Sequence, residues 1–182
     1  MPINRETLVT LFEASLTAFL SEEAESIQNN LGETHLTGCL VMRIRDLRGQ
    51  FELNEYFADP EYNRKQEGRI KTMMGNNHQI IPIRPDLILH SRGKFIQDDN
   101  LIVIEMKKSN RPRDEKDKDR LRLQILTQQT YDDIWIIGND SHPEHVCGYK
   151  LGVYIELING TRSCIIEYYA DGALYNRMIK EY

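Results

Sequence analysis

Residues 101–107 read Leu-Ile-Val-Ile-Glu-Met-Lys, and residues 80–90 read Ile-Ile-Pro-Ile-Arg-Pro-Asp-Leu-Ile-Leu-His. Two apolar, β-branched runs joined by a polar connection containing Gly93 and Asp98-Asp99-Asn100 predict an antiparallel hairpin. Alternate strand residues share a face, so Glu105 and Lys107 project one way while Ile102, Ile104 and Met106 project the other. If the hairpin is symmetric about the midpoint between Phe95 and Ile96, Asp86 falls opposite Glu105. Two carboxylates one strand apart repel when ionised, and their burial is costly unless a cation neutralises them. Hard oxygen donors of this kind favour Mg²⁺ or Mn²⁺.

The rest of the chain supplies elements around this hairpin. Leu8, Leu11, Phe12, Leu16, Phe19 and Leu20 recur at helical spacing over residues 5–20, with Asn4 as the N-cap. A second helix is expected from Asn30 to Arg48-Gly49, with Leu36, Leu40, Ile44 and Leu47 on one stripe. Glu33 shares that inward face. A capping box with Asn30 is its competing explanation. Residues 51–59 read as extended and 74–78 as a polar loop. The charged run from Lys107 to Arg122 passes into a helix whose Leu121, Ile125 and Gln128 share a face, followed by a strand at 133–137. Residues 149–158 and 161–169 flank Asn159-Gly160, a strong hairpin-turn signal. The expectation is an α/β fold: a central mixed β-sheet flanked by helices.

A length of 182 residues fits one domain. Within it, residues 1–30 form an N-terminal helical extension and 145–169 a C-terminal hairpin. Charged residues make up 28% and mean hydropathy is −0.54, with no apolar run near the roughly 20 residues of a membrane span. The N-terminal segment carries Glu6, Glu13, Glu22 and Glu23 where a secretory signal needs a basic start, so a cytoplasmic location is expected. Cys39, Cys147 and Cys164 are too far apart and too few for a disulfide framework, and are read as reduced thiols. The net charge of −5 argues against a non-specific nucleic-acid coat. Its distribution is uneven. Between Arg84 and Arg122 there are 11 basic and 8 acidic side chains, a net of +3, against 12 and 20 elsewhere, a net of −8.

Pro85-Asp86, followed after 18 intervening residues by Glu105-Met106-Lys107, resembles the PD-(D/E)XK signature of restriction-endonuclease-like nucleases. The order of elements is similar too: an acid-bearing helix, the hairpin, a helix and a further strand. Looser likenesses lie at Glu61–Arg64, Asp119–Thr127 and Tyr149–Val153, so the similarity spans residues 30–157. The resemblance implies a restriction-endonuclease-like core and a metal-dependent nuclease acting on DNA ahead of RNA, in defence or repair. It implies that Asp86, Glu105 and the backbone carbonyl of Met106 hold Mg²⁺ or Mn²⁺, with Glu33 completing the shell. Lys107 would orient the attacking water and stabilise negative charge. Arg84, Lys108, Arg111 and Arg113 would contact flanking phosphates. Absence of a DNA-reading module points to a homodimer or a larger assembly.

Other readings stand beside these. Asp86, Glu105 and Lys107 can form a purely structural ion-pair cluster, in which case the chain is a catalytically silent nuclease-fold domain that binds a protein or nucleic-acid partner. His142-x-x-His145-x-Cys147 offers three zinc ligands without an evident fourth. His35 and His90 are accessory candidates, and packing is the default for the dispersed tyrosines. No P-loop, dinucleotide fingerprint, HExxH or Gly-x-Ser-x-Gly occurs.

Overall fold

The computed structural model describes residues 3–61, 72–74, 80–82, 84–95, 98–129 and 147–182. The expected strand at 133–137, the loop at 75–78 and His142 and His145 lie outside them.

The first helix, α1 (Arg5–Glu22), begins where Asn4 accepts a hydrogen bond from Thr7 N–H at 2.8 Å. Its apolar stripe is buried as the spacing requires. After the short α2 (Ala24–Gln28) comes α3 (Glu33–Leu47). The expected start at Asn30 is corrected: Asn30 has φ +60°, Gly32 is the N-cap, and Glu33 opens the helix instead of closing a capping box. The extended segment expected at 51–59 shrinks to β1 (Phe57–Pro60), because Arg48–Phe51 continues α3 as a 3₁₀ turn. The expected strand at 80–90 is split. Residues 80–82 form β3 (Ile80–Pro82) in a two-stranded ladder with β2 (Thr72–Met74), while β4 (Leu87–His90) enters the main sheet.

The main sheet has six strands in the order β1-β4-β5-β6-β7-β8, with β5 (Asn100–Lys108), β6 (Leu151–Ile158), β7 (Ser163–Ala170) and β8 (Ala173–Glu181). It is mixed: β5 and β6 are parallel and the other neighbours antiparallel. The β4–β5 register pairs Leu87 with Ile104, Ile88 with Val103 and Leu89 with Ile102, the symmetry read from the sequence. Helix α4 (Arg113–Leu126) lies on the chain path between β5 and β6, as a parallel connection demands.

Helices cover both faces. Ile102, Ile104 and Met106 pack with α1 and α3 in the larger core, whereas Val103 joins Leu123, Ile125, Leu126, Tyr149, Tyr154 and Tyr169 beneath α4. Of the face expected to be buried on α4, Ile125 is buried but Leu121 and Gln128 are exposed; Asp119, Leu123 and Leu126 point inward with Ile125. The β6–β7 turn takes four residues, 159–162, where a two-residue Asn-Gly turn was expected. Strand β8, which the sequence reading missed, follows a true two-residue turn at Asp171-Gly172, both at positive φ. No helix among the described residues is long and apolar enough to cross a membrane.

Gly152 of β6 shows how closely α4 is seated. A Cβ there would meet Thr127 Cγ2 at 2.8 Å and Tyr169 Cβ at 3.1 Å. Gly152→Ala is expected to cost about 1–3 kcal/mol through overpacking. Urea unfolding measures it, and an unchanged midpoint would mean that the end of α4 is not held against β6.

Candidate metal and acid centre

Strand alternation sends Glu105 and Lys107 of β5 toward α4, opposite to Met106. Asp86 immediately precedes β4, and the β4–β5 register brings it beside the same stretch. Met106 N–H donates to Asp86 Oδ2 at 2.8 Å, so the two motif halves are directly linked. From above, α4 adds two groups. Asp119 Oδ2 lies 3.0 Å from Lys107 Nζ, and Arg122 Nη1 lies 2.6 Å from Glu105 Oε1 and 3.1 Å from Asp119 Oδ1.

Three carboxylates therefore meet two cations in a site where Glu105 is 0% and Asp119 4% exposed. The imbalance shows in the acidities. Burial, reinforced by Asp86 and opposed by Arg122, pushes Glu105 up to about 8. Burial also raises Asp86, against the pull of the Met106 N–H and Lys107. Burial alone would lower Lys107, but Asp86 and Asp119 outweigh it and hold the ammonium above its usual range. Glu105 Oε2 is buried and has no hydrogen-bond partner among the described residues. An orphaned acidic oxygen beside a second carboxylate is a donor set that a hard divalent cation satisfies.

The other expected site residues have protein partners of their own. Glu33 sits at the start of α3, where Lys108 N–H donates to Oε1 at 3.0 Å and Arg111 binds both oxygens at 2.9 and 3.0 Å. These bonds outweigh the cost of burial and hold the Glu33 pKa below the usual carboxylate range. Among the described residues, the one group of three His, Cys, Asp or Glu side chains whose ligand atoms all lie within 4.8 Å of one another is Glu23, His35 and Cys39, so Asp86 and Glu105 belong to no such triple. The expected phosphate contacts are largely engaged: Arg111 with Glu33, Lys108 Nζ with Asn30 O at 2.9 Å and Oδ1 at 3.0 Å, and Arg84 with Glu61 at 3.2 Å. Arg113 is almost fully exposed, 3.5 Å from Asp117. His90 Nε2 lies 3.0 Å from Asp59 Oδ2.

The sequence reading missed Asp119 and Arg122 as site residues. Asp119 precedes Leu123 by four and Leu126 by seven positions, which places it on the inward stripe. That spacing was the available signal. No family model, curated protein or solved structure matches the chain.

Proposed function

We propose that this chain is a Mg²⁺- or Mn²⁺-dependent nuclease with a restriction-endonuclease-like core, acting on DNA ahead of RNA. The observation that carries the reading is Glu105 Oε2, without a hydrogen-bond partner among the described residues and buried beside Asp86, with Lys107 two residues along the same strand. Asp86, Glu105 and the Met106 carbonyl would hold the ion. Bound there, it would polarise a scissile phosphate and lower the pKa of a water. Lys107, kept charged and held by Asp119, orients the attacking water and offsets charge developing on the phosphate. Asp119 is a positioning residue, acting through Lys107. Glu33, bound by Arg111 and the Lys108 N–H, ties α3 to the end of β5 and so supports the strand that carries the site.

A second reading, a catalytically silent domain of the same type, is favoured by the Arg122 guanidinium on Glu105, a cation already seated on the deepest carboxylate. Cleavage of plasmid, linear duplex, single-stranded DNA and RNA with Mg²⁺, Mn²⁺ or EDTA separates the two. Metal-dependent cutting that disappears in Lys107→Ala supports the nuclease. Absence of both cutting and calorimetric Mn²⁺ binding sinks it and leaves the silent domain.

A further inference from the structure

A second, chemically different donor set lies where α1, α2 and α3 meet. Glu23 occupies the single residue between α1 and α2, serving as C-cap of one and N-cap of the other. His35 and Cys39 are four residues apart on α3 and therefore share a helix face. One ligand atom from each of the three lies within 4.8 Å of the others. Cys39 Sγ is 3.6 Å from His35 Nε2. Bond lengths of about 2.3 Å to sulfur and 2.0–2.1 Å to nitrogen at a tetrahedral angle put those atoms about 3.5–3.6 Å apart. Thiol and imidazole are hydrogen-bonded to each other, and the separation that this bond sets is also the one a tetrahedral zinc site requires.

We propose that Glu23, His35 and Cys39 form a binding site for Zn²⁺ or a similar borderline-soft divalent ion, with a fourth position left to solvent or an exogenous ligand. One sulfur, one nitrogen and one oxygen donor select zinc or cobalt over magnesium, whereas the carboxylates around Glu105 select the reverse. The two centres therefore take different metals. Burial and the neighbouring Glu23 keep Cys39 a thiol in the free protein, so binding releases its proton to solvent, and the thiolate formed together with the Glu23 carboxylate offsets the ion's double charge. The neighbouring Arg43 guanidinium is engaged by other carboxylates, Glu22 at 3.2 Å and Asp46 at 3.5 Å. Access is open on one side: His35 is exposed and Glu23 half-buried, while Cys39 is buried at the base. An ion here would cross-link the α1–α2 junction to α3, two segments otherwise joined near this point by side-chain packing and the Arg43–Glu22 pair.

The test is cobalt titration of the full chain under reducing conditions. The expected result is one tightly bound Co²⁺ with visible bands of tetrahedral intensity and a sulfur-to-cobalt charge-transfer band in the near ultraviolet. Cys39→Ser removes the charge-transfer band and His35→Ala weakens binding at least tenfold, while the band persists in Asp86→Asn, Glu105→Gln and Cys147→Ser. Zinc displaces the cobalt and raises the melting temperature of the wild type but not of His35→Ala. Since Cys39 is buried, circular dichroism checks that its variant folds; if it does not, the exposed His35→Ala variant decides alone. Cobalt binding without a sulfur band, a band that survives Cys39→Ser, one that is lost with Cys147→Ser, or unchanged affinity in His35→Ala would each overturn the proposal.

Discussion

Glu105→Gln is expected to lower cleavage by at least about 10³-fold, beyond the roughly 10–100-fold typical of groups that only support a ligand shell, while making the metal-free protein more stable at alkaline pH. The stability half of this expectation follows from the acidity of the wild-type carboxyl. Its folded value of about 8 lies above the ordinary 4.5. A buried acid whose pKa is raised stabilises the fold in its neutral form; that contribution is full below the unfolded value and is lost as pH rises through about 8. Wild type should therefore lose stability between about pH 5 and 9, whereas the glutamine variant, isosteric and uncharged, should not. A shift of this size sets an upper bound of about 5 kcal/mol, and relaxation around Arg122 brings the expected gain at pH 9 to about 1–3 kcal/mol. Denaturant melts of both proteins across pH, with EDTA present, measure it. Parallel pH profiles would show that Glu105 is not held in the environment described, and a Gln variant that still cuts would remove it from the reaction.

The second large effect concerns stability alone. Asp59 of β1, 5% exposed, accepts two hydrogen bonds from Arg92 at 2.7 and 2.8 Å, lies 3.0 Å from His90 Nε2 and 3.4 Å from Arg45. Burial would raise its pKa, but His90 and Arg92 outweigh burial and hold the carboxyl well below the usual range. Removing one partner of a buried ion pair costs about 3–5 kcal/mol. Arg92 and Arg45 are about half exposed, so solvent recovers part of that when Asp59 is lost. Asp59→Ala is expected to destabilise by about 2–4 kcal/mol, lowering the melting temperature by about 5–15 °C in a chain of this size. The acid's contribution is present above its unfolded pKa and lost as pH falls through the folded value. The gap between wild type and variant should accordingly narrow below about pH 4. Equal melting temperatures at pH 7 would contradict the burial of this pair.

Much of the fold could be read ahead of the structure wherever one physical rule acted without competition. Helix α1 is uniformly amphipathic and its cap is an asparagine, so period and boundary agreed. The β4–β5 pairing followed from hydrophobic symmetry, and with it the meeting of Asp86, Glu105 and Lys107. Helix α4 was harder. Every residue from Arg113 to Arg122 except Leu121 is charged, so composition hides which side faces the sheet, and the lone leucine draws the eye to the wrong stripe. Burial of Asp119 becomes affordable only once Lys107 and Arg122 are in place, a tertiary fact that no local pattern carries. Glu33 is a related case. Its inward face is real, but the partner there is Arg111, 78 residues further along the chain. Strand β8 escaped because its residues are exposed on both faces and show no alternation, although Asp171-Gly172 announced the turn before it.

The centre around Glu105 draws its acids and cations from one stretch of chain, residues 86–122: the end of one strand's approach, its hairpin partner and the helix that follows. Contacts between segments so near in sequence close short loops and need little entropy to form. One hairpin and the helix after it therefore bring the charged groups of the centre together, while the apolar stripe of α4 is covered only when Tyr149, Tyr154 and Tyr169 are in place.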